Sequence, residues 1–272
     1  MKKQHLKHLM ENRRTKVVFP VLLILFSLGF GIGTYKVITI LHEDKYVDTA
    51  YNELRVQLRE QSVKPNGATE SSGAVTEGLP SQRQRSLDIR PLQETYPELK
   101  AWILAEGTGI DYPIMQAADN QYYLSHLYDG TKNSNGSLFV DYRNTGMFTD
   151  DNTVIYGHHM KNGLMFQPLS EYKEQDFYEA HPTMMIYTTE GDYLVELICG
   201  TIEDGNYEFV RFSFDDFNDM SSYVDELKER STFKSEVTLR PGDKLVSMCT
   251  CSYERQNARY MLVGRIVELY EP

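Results

Sequence analysis

Only three cysteines occur in 272 residues, Cys199, Cys249 and Cys251. Extracellular scaffolds held by disulfides use larger, even sets, so this chain has to fold on a hydrophobic core and keeps at least one free thiol. Cys249 and Cys251 stand at i and i+2. On a strand they share a face with Cα atoms about 6–7 Å apart, a spacing that disfavours a mutual bridge. Metal-ligand spacing is missing as well. Neither His-x-x-x-His nor Cys-x-x-Cys occurs, and the adjacent His158 and His159 would point to opposite faces of a strand, which argues against zinc and leaves no implied cofactor.

Positive charge is scarce beyond the N-terminus. The chain has 28 Lys/Arg against 39 Asp/Glu, and residues 1–36 hold seven of the former and one of the latter, leaving net −17 for residues 37–272. So acidic a remainder argues against nucleic acid, whose binding relies on clustered Lys and Arg; the negative charge itself suits a solvated surface. Residues Val17 to Tyr35 carry no charge. At about 1.5 Å per residue those 19 residues can cross a hydrocarbon core of about 30 Å. The preceding Lys2, Lys3, Lys7, Arg13, Arg14 and Lys16 predict a cytoplasmic N-terminus and an extracellular remainder. A cleaved signal peptide would show an apolar run of about 7–15 residues and an Ala-x-Ala site; the run here is longer, and Lys36 to Tyr46 offers no such site. The expected layout is therefore a cytoplasmic stretch over 1–16, a single-pass anchor over 17–40 and a juxtamembrane helix over 41–61. The Ser-, Gly-, Pro- and Thr-rich residues 62–85 read as a flexible linker spanning roughly 25 Å, and an extracellular domain follows over 86–272.

Within that domain a short helix near Pro91 leads into a strand at Trp102. Short β-rich runs bounded by turn residues follow at Ile110–Met115, Ser137–Tyr142, Thr153–Tyr156, Thr183–Thr188, Asp192–Thr201, Lys244–Cys249 and Arg259–Leu269. This pattern predicts a mainly β (α+β) fold, a closed or nearly closed barrel. One helix interrupts it: Asp215 to Arg230 carries Phe217, Met220, Tyr223, Val224 and Leu227 on one side and acids in its first turn.

Three residues carry candidate chemistry. Cys251 ends a strand next to the polar Ser252 and Tyr253, where a thiol is partly exposed; buried cysteines, in contrast, behave as small hydrophobes. Arg259 lies eight residues on, in an apolar strand where an idle charge has little room. An always-ionised guanidinium there can stabilise a developing oxyanion. Arg255, in the polar loop between, is the competing guanidinium and reads as solvated. His158, in Tyr156-Gly157-His158-His159, can take a thiol proton and return it to a leaving amine; only spatial adjacency to Cys251 is required.

These motifs resemble the sortases. Ser247-Met248-Cys249-Thr250-Cys251 is similar to their Thr-Leu-x-Thr-Cys signature, with Ser and Met in place of Thr and Leu and a second thiol at the variable position. The class B subgroup is indicated by Asp111-Tyr112-Pro113, Asp119-Asn120-x-x-Tyr123-Leu124, the run Gly136 to Asn144, and the helix inserted before the cysteine strand. The resemblance covers about residues 95–270. It implies a barrel of seven or eight strands with an N-terminal helix, and a cysteine transpeptidase. In that reading Cys251 attacks the carbonyl of a Thr in a C-terminal sorting signal, His158 protonates the departing amine, Arg259 holds the oxyanion, and an amine resolves the thioacyl enzyme. Asn120, Tyr156 and Thr250 are implied to line the substrate site, and the stretch Asp204 to Ser213 to contact the signal peptide. The implied partners are secreted proteins bearing the signal and an acceptor amine, from a peptidoglycan precursor or from a pilin lysine. Two other readings compete: a membrane-tethered cysteine peptidase, against which the His-before-Cys order and the missing Cys-Gly-Ser-Cys-Trp setting weigh, and a non-enzymatic adhesin.

Overall fold

Residues 2–62, 87–146 and 148–270 are described by a computed structural model. The expected linker over 62–85 lies almost wholly outside the described residues. Two units are distinguished, residues 1–48 and residues 49–272. A single helix, α1 (Lys2–Ser62), runs from the first into the second. Its part within residues 20–62 is the one helix among the described residues long and apolar enough to cross a membrane.

In the second unit the strands β1 (Leu99–Ala105), β2 (Ile110–Met115), β3 (Leu138–Val140), β4 (Asn152–Tyr156), β5 (Thr183–Tyr187), β6 (Asp192–Asp204), β7 (Lys244–Cys251) and β8 (Ala258–Tyr270) close a barrel in the order β1-β2-β3-β4-β7-β8-β6-β5. The β2·β3 and β4·β7 pairs are parallel and the other pairs antiparallel. The count is eight, the upper of the two expected. Closure removes the exposed edges that an open sheet of this size would present.

Three further helices complete the unit: α2 (Arg90–Thr95), α3 (Gln175–Ala180) and α4 (Phe217–Glu229). Helix α4 starts where Asp216 caps it, its carboxylate accepting from the Asp219 amide at 2.9 Å. Met220, Tyr223, Val224 and Leu227 form the buried stripe that the spacing predicts, packed with Val154, Cys199, Leu245, Cys249, Met261 and Val263. Helix α4 thereby packs on β4, β7, β8 and β6, and the site forms where the C-terminal ends of β4, β6 and β7 meet the N-terminal end of β8.

The folded domain begins earlier than residue 86. Tyr51, Leu54 and Leu58, at i, i+3 and i+7 near the end of α1, are 1 %, 3 % and 1 % exposed. Leu54 and Leu58 share a core cluster with Ile89, Leu92, Trp102, Phe139 and others. The helical stripe was legible from spacing; that its partner is the barrel is a tertiary fact no local pattern encodes.

Candidate active site

Strand pairing assembles the three predicted residues. In the β7·β8 ladder Cys251 stands directly opposite Arg259. In the parallel β4·β7 ladder Tyr156 stands opposite Cys249, and the next residue, Gly157, donates its amide to the Cys249 carbonyl at 3.1 Å. His158 follows Gly157, two residues past the end of β4, while Cys251 lies two residues past Cys249 on β7. All three are half-buried.

The two neighbouring thiols differ in environment. Cys251 is free and partly accessible, whereas Cys249 is free and 1 % exposed. Burial pushes the Cys249 thiol far up, with Glu203 and Asp141 adding in the same direction and Arg259 opposing. Cys199 is likewise pushed up to about 12, chiefly by burial. Both stay protonated and inert at neutral pH, so Cys251 is the thiol placed to react.

The imidazole of His158 is held by its Nε2, 2.8 Å from the Leu124 carbonyl oxygen. A carbonyl only accepts, so Nε2 carries the proton and Nδ1 keeps a lone pair to take one. His159 is placed differently. Burial lowers its pKa, the Cys251 backbone opposes this, and its ring stands edge-on to Tyr253 at 4.9 Å. The guanidinium of Arg259 donates Nη1 to the Ala258 carbonyl at 3.0 Å and lies over Gly205, where a Cβ would come within 3.1 Å of Cζ. The glycine gives this side chain its room. Opposite Arg259 on β6 is Glu203, 6 % exposed, with Oε2 bonded to Arg230 at 2.8 Å and Oε1 without a partner among the described residues. Arg255 is exposed in the β7–β8 loop.

Beside Arg259 a groove of about 720 Å³ opens along residues 203–213, lined among others by Glu203, Tyr207, Phe209, Phe212, Tyr223 and Arg230. This is the stretch implied to meet the signal peptide.

The remaining candidates fall apart into two groups. Asn120 and Tyr156 converge on one carboxylate, Asp141, donating to its Oδ2 from Nδ2 at 2.9 Å and from the phenol at 3.1 Å. Arg143 grips both oxygens of Asp141 at 2.9 Å, reaches Glu208 at 2.6 Å and stacks on Phe212 at 4.0 Å, joining this knot to the groove wall. Thr250 is not brought to the groove. Strand alternation turns its side chain to the face of β7 opposite Cys251, where it is 2 % exposed and its hydroxyl has no partner among the described residues. Asp141, Arg143, Glu203 and the Leu124 carbonyl are site features that sequence reasoning did not assign, although Leu124, Asp141 and Arg143 lie within the quoted motifs. No group of three or more His, Cys, Asp or Glu suited to a metal occurs among the described residues.

The family profile described as Sortase domain matches residues 103–267. A curated relative, Sortase B of Listeria monocytogenes, is 32 % identical over 248 residues, 90 % of this chain and 95 % of the relative. Among solved structures, the Staphylococcus aureus sortase B–substrate complex superposes with a TM-score of 0.63 at 27 % identity over 67 % of this chain and 85 % of that one. Clostridium perfringens sortase B gives 0.62 at 30 % identity over 66 % of this chain and all of the other.

Proposed function

This chain belongs to the sortase family, in its class B branch, and from that premise we propose that Cys251, His158 and Arg259 carry its reaction. The protein is a cysteine transpeptidase that attaches surface proteins to the cell wall. The observation supporting the assignment of roles is the β7·β8 register, which sets the one accessible thiol of the strand opposite a guanidinium.

His158 takes the proton of the Cys251 thiol as Sγ attacks the carbonyl carbon of a Thr in the sorting signal. The developing oxyanion falls to Arg259. The amide C–N bond then breaks, the departing amine receives the proton from His158, and a thioester to Cys251 remains. An acceptor amine attacks that thioester, a new C–N bond forms as C–S breaks, and the proton lost by the amine returns to the thiolate through His158. Asn120 and Tyr156 act indirectly, by fixing Asp141 and hence the Arg143 contact to the groove wall. The groove along residues 203–213 takes the signal peptide. The apolar stretch of α1 anchors the chain with its basic flank in the cytoplasm, and the barrel works outside, where secreted proteins emerge.

The full chain in detergent, given a signal peptide with and without an amine, tests this. An amide product that requires both the amine and Cys251, with Cys249→Ala retaining at least about half the parent rate, is expected. Release of free acid unaffected by amine, or loss of activity in Cys249→Ala but not in Cys251→Ala, overturns it.

A further inference from the structure

We propose that residues 49–62, the membrane-proximal turns of α1, position the histidine of the active site, with Tyr51 as the positioning residue through which they act. The inference rests on the assignment of His158 as proton carrier. What orients His158 is the Leu124 carbonyl oxygen, 2.8 Å from Nε2. Burial does not place that carbonyl, because the Leu124 side chain is 40 % exposed. Its place depends on how the backbone of the segment 119–137 is held.

The segment folds back on itself through short-range bonds, Leu127 N to Thr131 O and Asn133 N to Ser125 O, each 2.9 Å. Its returning arm bears directly on the peptide that faces His158. Ser137 donates its amide to the Tyr123 carbonyl at 2.9 Å and its hydroxyl to the His126 carbonyl at 3.1 Å. Gly136 adopts φ +61°, and a Cβ there would sit 2.5 Å from the Tyr123 oxygen and 3.1 Å from the Leu124 oxygen. The two backbones are in contact, and only glycine permits the approach.

That arm is gripped from α1. The Tyr51 hydroxyl, on a side chain 1 % exposed, lies 2.9 Å from Ser137 Oγ and 3.3 Å from the Gly136 carbonyl oxygen. A second tie runs alongside, the Tyr128 hydroxyl donating to the Ala50 carbonyl at 3.3 Å, with the Tyr51 and Tyr128 rings 5.3 Å apart. The helix is also fixed by contacts outside this segment: Arg55 Nε donates to the Asp111 carbonyl at 2.8 Å, Arg59 reaches the Asp111 carboxylate at 2.7 Å, and Leu54 and Leu58 share their core cluster with Ile89, Leu92 and Trp102. A line of contacts therefore runs from α1 through Tyr51, the backbone of residues 136–137 and the backbone of residues 123–124, ending in the Leu124 carbonyl, to His158. General-base geometry tolerates little error, and supporting contacts of this kind set it.

Tyr51→Phe in the full-length, detergent-solubilised chain removes the hydroxyl and keeps the buried ring. Loss of one buried hydrogen bond predicts a fall in transpeptidation kcat of about three- to tenfold with KM within about twofold. The His158 ring signal in spectra of the histidine-labelled protein, single in the parent, should split or broaden. Glu53→Ala, on the exposed face of the same turns, should keep the parent kcat. A parent kcat for Tyr51→Phe, or a reduced kcat with an unchanged His158 signal, overturns the positioning role. In either case an inactive His158→Ala leaves the assignment of His158 standing, whereas His158→Ala turning over at the parent rate overturns that assignment and the inference with it.

Discussion

Asp141 shows how much of a site a list of reactive residues leaves out. Burial raises the pKa of this carboxyl, but the paired hydrogen bonds from Arg143 and the amide of Asn120 outweigh it and hold the group below the ordinary carboxylate range. The carboxylate is fully buried, while Arg143 remains 40 % exposed. Asp141→Asn therefore breaks a buried pair but leaves Arg143 its Glu208 partner and access to water, and the cost should fall at the low end for a broken buried pair, about 3 kcal/mol by chemical denaturation. Because one acceptor oxygen becomes an NH2 donor and the charge is lost, Asn120, Tyr156 and Arg143 cannot all keep their bonds and turnover should fall with stability; full stability in Asp141→Asn would show that the knot holds nothing. Cys251, His158 and Arg259 were legible because a thiol, an imidazole and a guanidinium each announce a chemistry, and the family signature orders them. Their supports were not. The Leu124 carbonyl is 34 residues from His158 in sequence, and backbone carbonyls look alike in any sequence. Thr250, which the resemblance implies at the substrate site, is turned by strand alternation to the face of β7 opposite Cys251 and is buried there.

Among the elements, the strands and α4 were found with ends off by as much as about three residues, since period-2 runs between turn residues and a 3.6-residue stripe are local signals. The turn between β7 and β8 is held by something less local. Lys173, at the end of the 3₁₀ helix Gln167–Lys173, bonds both Ser252, at 3.0 Å, and Glu254, which also accepts from Ser252. Burial would raise the Glu254 pKa, but Lys173 and Ser252 bring it down to about 2 from an ordinary value of 4.5. A carboxyl depressed in the folded state contributes stability above its unfolded pKa and loses it as pH falls through the folded one. The clamp on the turn that follows Cys251 should therefore be complete at pH 6 and dissolve between about pH 4.5 and about pH 2. Glu254→Gln should melt below the parent at pH 6, and the gap should narrow as the pH falls below about 4.5 and close as it nears about 2. A gap that is constant with pH would mean that Glu254 acts by packing alone. With Glu254 38 % exposed, solvent screening keeps the effect modest.

At the scale of the whole molecule, charge and apolar length divide the chain into a basic, lipid-compatible N-terminus and an acidic enzyme, a division visible in composition alone. The boundary between them was not visible. Composition puts the start of the folded domain after the Ser- and Gly-rich stretch, near residue 86, whereas the compact unit begins at Thr49. The reason is that the Ser- and Gly-rich stretch separates, along the sequence, two pieces of one core, so a change in composition does not mark the edge of the fold. Tyr51, Leu54 and Leu58 are each at most 3 % exposed, and burying three such side chains is worth about 5 kcal/mol before ordering the helix offsets part of it. A domain cut to begin at residue 86 should therefore melt at least about 5 °C below one beginning at residue 49. It should also expose apolar surface around Ile89, Leu92 and Trp102 that the helix otherwise covers, making it bind hydrophobic dyes and associate. Equal melting temperatures for the two lengths would return the boundary to residue 86 and leave the last turns of α1 without a part in the stability of the barrel.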